Sequence, residues 1–105
     1  MLIERNKMKT KFVVVSTEIM HDVNLNQVQK FLMAIIEQLL KSDNRCSVST
    51  KYFSELIGIA KKNVSRNLNS LVKMGYISME IKNKNHNNTR VIWIPTIEER
   101  MANEL

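Results

Sequence analysis

The chain is poor in the residues that cross-link, punctuate or catalyse. Its one cysteine, Cys46, permits no disulfide within the chain. That fits a reducing compartment, and a cytoplasmic protein is expected. One proline and two glycines in 105 residues leave few imposed breaks and no Gly-rich loop to cradle a phosphate. Aromatic residues make up only 6%. Tyr76 and Trp93 alternate with aliphatic neighbours, so they are expected to pack in a sheet rather than stack on single-stranded nucleic acid. Long apolar runs are missing as well. The longest, Phe31 to Ile36, falls far short of the roughly 18 residues of a membrane span, and Met1 to Lys9 is too charged for a signal peptide. His21, Cys46 and His86 are far apart, with neither CxxC nor HExxH spacing, so no metal site is expected. Acidic residues are few and scattered, without paired carboxylates or a Ser–His–Asp set. Neither catalytic residues nor a cofactor are expected, and the chain is not expected to be an enzyme.

What is present is a basic chain, 44% hydrophobic and long enough for one core. Sixteen Lys and Arg stand against ten Asp and Glu, a net charge of +6. The excess is concentrated. Lys51 to Ile94 holds eight basic and two acidic residues, Met1 to Thr50 seven and five, and the tail from Pro95 one and three. A cationic segment of this kind suits a phosphate backbone.

Lys11 to Val15 (KFVVV) has the content of a strand, and Ser16 to Asp22 suits a short helical turn. Asn24 is expected to cap a helix running to about Lys41, with Gln27 three residues on and Val23 and Val28 as a hydrophobic staple. Leu25, Val28, Leu32, Ile35, Ile36 and Leu39 share one face of it. Phe31 and Leu40 widen the apolar arc to roughly half the circumference, enough for burial on two sides or for a partner subunit. Ser42 to Cys46 is a polar turn. Ser49 then caps a short helix, with Val48 and Phe53 as its staple, and Gly58 ends it in the left-handed conformation. The next helix begins near Lys61 and ends before Gly75, burying Val64, Leu68, Leu71 and Val72. Met33 and Met74 are expected to fill core gaps. Tyr76 to Ile81 and Thr89 to Ile94 read as strands. Lys82 to Asn88 between them is too polar to pack and too long for a two-residue turn. Pro95 stops the second strand, and Thr96 with Glu99 forms a capping box for a terminal helix, Ile97 to Asn103.

Helix, tight turn, helix and β-ribbon is the order of a winged helix-turn-helix: mainly α with a small β-ribbon (α+β). A single domain is expected over 1–105, with its core at about 11–94 and a short C-terminal helix at 96–103. With Val64 at the centre of the buried face, Lys62, Arg66, Asn69 and Lys73 fall opposite it, and Asn63, Ser65 and Ser70 flank them. Arg bonds two acceptors on guanine, Asn bonds adenine bidentately, and Lys neutralises phosphate. The segment Lys82 to Arg90, carrying Lys82, Lys84 and Arg90, is the expected wing, on the backbone or in the minor groove. A solvated outer face would account for the cationic stripe alone, but not for the turn before it and the ribbon after it.

The order KFVVVSTEIM, NLNQVQKFLMAIIEQL, CSVSTKYFSELIGIAKKNVSRNLNSLVKMGYISM, with its Gly75-Tyr76-Ile77 step, resembles a family of small winged-helix domains in replication proteins and regulators of bacterial phages and plasmids. The resemblance covers roughly Lys11 to Ile94. It implies a DNA-binding fold with Lys61, Lys62, Asn63, Ser65, Arg66 and Asn69 as contact positions. Ala60 departs from it, because such domains usually start the reading helix with Ser or Thr. The chain also ends soon after the wing, where initiator relatives continue into a further domain, so a small regulator or accessory factor of a mobile element is expected.

These features predict a sequence-specific double-stranded DNA-binding protein that places helix Lys61–Met74 in the major groove and acts on transcription or replication. The alternative is a winged-helix module that captures a host polymerase or replication factor. An interaction surface of that kind would be more apolar, with aromatic anchors. No membrane and no small-molecule effector is expected. Ile97, Met101 and Leu105 form a stripe on a helix too short to stand alone. It packs either on the chain's own first long helix or on a second subunit, which would make a homodimer.

Overall fold

The computed structural model describes residues 13–84 and 87–104. Its elements run α1 (Thr17–Met20), α2 (Gln27–Leu39), β1 (Cys46–Ser49), α3 (Thr50–Ile57), α4 (Lys61–Lys73), β2 (Ser78–Lys84), β3 (Asn87–Trp93) and α5 (Ile97–Glu104). This is the α+β winged helix-turn-helix. Side-chain caps start most of the helices, each satisfying an amide that would otherwise have no intrahelical partner. The Ser16 hydroxyl accepts from Ile19 N–H at 3.2 Å, and the Ser49 hydroxyl accepts from Tyr52 N–H at 3.1 Å. Thr96 and Glu99 form the expected reciprocal box, at 3.1 and 3.0 Å.

The start of α2 corrects the sequence reading. The pattern Asn-x-x-Gln occurs twice, at Asn24–Gln27 and Asn26–Gln29, and the second pair is the capping box. Asn26 Oδ1 accepts from Gln29 N–H at 2.8 Å, and Gln29 Oε1 accepts from Asn26 N–H at 2.9 Å. Asn24 instead gives its N–H to Asp22 Oδ1 at 2.9 Å, which makes a turn ahead of the helix. Val23 is exposed and staples nothing. The helix ends at Leu39, two residues before Lys41.

Three strands form an antiparallel sheet in the order β1-β3-β2. Cys46–Ser49, read from sequence as turn and cap, is its first strand and pairs Cys46 with Ile92. Its polar alternation hides Cys46 and Val48, which point into the core. Asn44, at φ 61°, locks the preceding turn to the far strand by donating to Ile94 O at 2.7 Å. The expected strand at Lys11–Val15 is not one. Val13–Val15 has no regular structure, and Lys11 and Phe12 lie outside the described residues. Val13 and Val15 nevertheless pack on the core, and Val14 N–H donates to Gln38 at 3.3 Å.

The core joins α2, α3, α4 and the sheet. Leu32, Ile36, Phe53, Val64, Leu68, Leu71, Ile77 and Ile92 are its fully buried members. Met33 fills it as expected, but Met74 is exposed and Val72 is 36% exposed. The helical repeat explains the exchange. Val72 lies about 80° round from Val64, whereas Asn67 lies only about 60° away on the other side. Asn67 therefore takes the inward place.

The α5 stripe is open. Ile97 is 75% and Met101 60% exposed, so α2 does not cover them. Leu105 lies outside the described residues.

Candidate nucleic-acid interface

The turn between α3 and α4 is three residues, Gly58-Ile59-Ala60. Gly58 adopts φ 81°, ψ 35° and donates to Ser54 O at 2.8 Å. A side chain there would be strained in the left-handed region even though the space is open. Ile59 N–H shares the same carbonyl at 3.2 Å, and the Ser54 hydroxyl donates back to Ile59 O. The angle between the two helices is thus held by hydrogen bonds within the turn. At the other end, Tyr76 N–H reaches Leu71 O and Gly75 N–H reaches Val72 O, both at 3.0 Å, the Schellman pattern that stops α4. The Tyr76 hydroxyl then donates to Asp22 Oδ2 at 2.6 Å. That bond draws the Asp22 carboxyl below its ordinary pKa and raises the phenol.

Helix α4 carries no acidic residue. Lys61, Lys62, Arg66, Asn69 and Lys73 are exposed, while Asn63 and Ser65 are half-buried on opposite margins of the face. Ala60 offers no side-chain cap. Two lysines in the first turn also oppose the helix dipole, which favours anions there. The start of this helix is therefore poorly stabilised from within and is suited to an external anion.

A buried polar group lies beneath each margin, Asn67 under Asn63 and Arg90 under Ser65, and the sequence reading did not single out Asn67. Asn67, 8% exposed, donates from Nδ2 to Asn63 O at 2.9 Å and to Asn63 Oδ1 at 3.1 Å. Its own oxygen accepts from Asn26 Nδ2 at 3.1 Å. Asn26 thus caps α2 with its oxygen and holds α4 with its nitrogen. Arg90 is the main correction. It was expected on the exposed wing, yet it is 5% exposed, because its place at the middle of the central strand turns it inward. It donates to Thr50 Oγ1 at 3.2 Å and to Ser65 Oγ at 3.0 Å, and its Nε has no partner. Burial lowers its pKa, but a guanidinium stays protonated. Among the described residues no carboxylate pairs with it; the ion pair found is Lys82–Glu80, at 3.6 Å and exposed.

The hairpin is longer and tighter than expected. β2 and β3 stay in register as far as Lys84 opposite Asn87, leaving two residues between the strands where a seven-residue loop was foreseen. Lys82 is exposed on β2. The side chain of Lys84 and the whole of His86 lie outside the described residues. Trp93 is half-buried under the Arg45 guanidinium, 4.3 Å from the ring centroid, a packing role consistent with the sequence reading.

A helix-turn-helix domain family matches residues 23–77, from the lead into α2 through the end of the Gly75-Tyr76-Ile77 step. The chain belongs to that family. Helix-turn-helix domains of this kind bind DNA. No curated protein matches the sequence. Among solved structures, the Rep protein of a Rep–DNA complex is similar at a TM-score of 0.56 and 14% identity, covering 95% of this chain and 89% of that one. The adhesin competence repressor of Streptococcus pyogenes is similar at a TM-score of 0.53 and 12% identity, covering 98% of this chain. The chain spans 63% of that repressor's length. An N-terminal domain of a DNA-binding protein is similar at a TM-score of 0.50 and 13% identity, covering 99% and 89%. At these identities the likeness establishes the shared fold.

Proposed function

We propose that this helix-turn-helix protein reads duplex DNA in a sequence-specific way and regulates transcription or replication, as part of a mobile element. The observation that carries the reading is the outer face of α4. Lys62, Arg66 and Asn69 stand exposed on a helix with no acidic residue. From Lys62 to Asn69 the face spans about 10 Å, which fits a major groove about 12 Å wide. Lys73, about 16 Å from Lys62 along the axis, would reach past the bases to a phosphate. Lys61 at the uncapped helix start and Lys82 on the hairpin would meet backbone on either side. Lys84 is proposed as a further wing contact. The link to replication and to mobile elements rests on the family resemblance carried by the Gly75-Tyr76-Ile77 step, and the shared fold of a Rep protein bound to DNA is compatible with it.

A protein-docking module is the second reading. Nothing aromatic stands on the exposed face of α4, which favours DNA. The open Ile97–Met101 stripe favours a homodimer through α5 in either case.

Selection of bound sequences from a random duplex pool tests the proposal. Enrichment of a short consensus, bound in a salt-dependent manner, is expected. A protein that is folded but enriches nothing would overturn it. A palindromic consensus would match a two-fold dimer.

A further inference from the structure

The two buried polar groups under the reading helix do more than fill space, because each fixes which atom its neighbour presents outward. A backbone N–H can only donate. The atom of Asn26 that meets Gln29 N–H must therefore be its oxygen, and its nitrogen must be the one that meets Asn67. Asn67 then turns oxygen toward Asn26 and nitrogen toward Asn63, an orientation independently required by the Asn63 backbone carbonyl. The Asn63 oxygen is held inward by Asn67 Nδ2, so its amide nitrogen is left to face out. Arg90 acts likewise. A guanidinium has no acceptor, so the Ser65 oxygen accepts from it, and the Ser65 hydroxyl is left to donate elsewhere. Lys62 and Arg66 alongside are donors by nature.

We propose that Asn67 and Arg90 are positioning residues that make residues 62–66 of the reading helix a surface of hydrogen-bond donors, and that the DNA it selects presents guanine there. This rests on the DNA-reading role proposed above. Guanine shows two acceptors, O6 and N7, in the major groove, whereas cytosine shows a donor and adenine shows one of each. A face whose two margins have their acceptors engaged from within, Asn63 on one side and Ser65 on the other, matches the first and mismatches the second. Asn69, beyond Asn67 on the exposed face, is not held by this network, and an adenine is compatible there.

The test uses the full chain and the duplex it selects from a random pool. Guanine is expected at the positions facing residues 62–66. Replacing each such guanine by 7-deazaguanine, which keeps base pairing but removes the N7 acceptor, should weaken binding about tenfold. Arg90→Met keeps the side-chain bulk but removes the donor that orders Ser65. It should reduce discrimination between guanine and the other bases by about fivefold to tenfold, while affinity for random duplex stays within about twofold. If Arg90→Met does not fold, the 7-deazaguanine series on the unmodified protein decides alone. A selected site without guanine at those positions, or 7-deazaguanine bound as well as guanine, overturns the proposal. So does a Ser65→Ala variant that loses salt dependence while keeping its base preference, since the donors would then be meeting phosphate. Protein that binds no duplex at all overturns the DNA-reading role itself, a result plainly different from these.

Discussion

Arg66 and Leu68 sit two residues apart on α4 and face opposite ways, one exposed and the other fully buried. Substituting them separates function from folding. Arg66→Ala is expected to cost about 1–3 kcal/mol of specific binding and to relax preference at one base pair, with the melting temperature unchanged. Leu68→Ala is expected to destabilise by about 2–5 kcal/mol through the cavity it leaves, read as a lower midpoint in denaturant. The Tyr76–Asp22 bond gives stability a pH signature. Because the folded Asp22 pKa is depressed, its contribution is present in the neutral range and is lost as pH falls through that depressed value. Because the Tyr76 pKa is raised, the contribution is lost again as pH rises through the phenol range. Tyr76→Phe should flatten the melting temperature at both ends of the pH scale. A profile identical to that of the unmodified protein would show that the bond adds nothing. The exposure of Lys62 and Arg66 and the burial of Leu68 were legible from the helical repeat alone, since they depend only on their own helix. Asn67 and Arg90 were not, because the groups that hold them inside lie far away in sequence: Asn26 is 41 residues from Asn67, and Thr50 is 40 from Arg90.

At the scale of elements, helices announced themselves through local chemistry. Ser49, Gly58, Gly75 and the Thr96–Glu99 box mark their ends in the structure where the sequence placed them. The sheet was less legible. β1 is four residues of mixed polarity and exists because β3 lies beside it. The hairpin keeps its register through polar residues that a search for apolar alternation discards. If the hairpin meets backbone, Lys82→Ala should reduce the slope of log affinity against log salt by about 0.9. Glu80→Ala, which frees Lys82 from its ion pair, should strengthen binding at low salt. An unchanged slope in the Lys82 variant would make the hairpin a bystander. For α5, deleting residues 96–105 should halve the sedimenting mass and leave a folded domain, since its apolar stripe faces outward. Full-length protein that sediments as a monomer at high micromolar concentration would contradict the dimer.

Over the whole molecule, the positive excess and the reading helix coincide. The segment from Lys51 to Ile94 carries most of the net charge, and within it α3, α4 and the hairpin are joined through Arg90, which links the first turn of α3, the body of α4 and the central strand. The fold class was legible because the order helix, turn, helix, ribbon survives errors of a few residues at each boundary. Which surface is rigid and which atoms it presents was not, since both depend on contacts between distant segments. In the proposed mode of binding, duplex DNA is held by α4 and the hairpin. The most direct test is titration of isotopically labelled protein with a selected duplex, following each backbone amide by NMR. The largest shifts are expected at residues 61–66, at Asn69 and in the strands around Lys82, with α1 and the outer face of α2 unmoved. Shifts centred on α5 or on Met20 and Phe31, with α4 silent, would contradict the account.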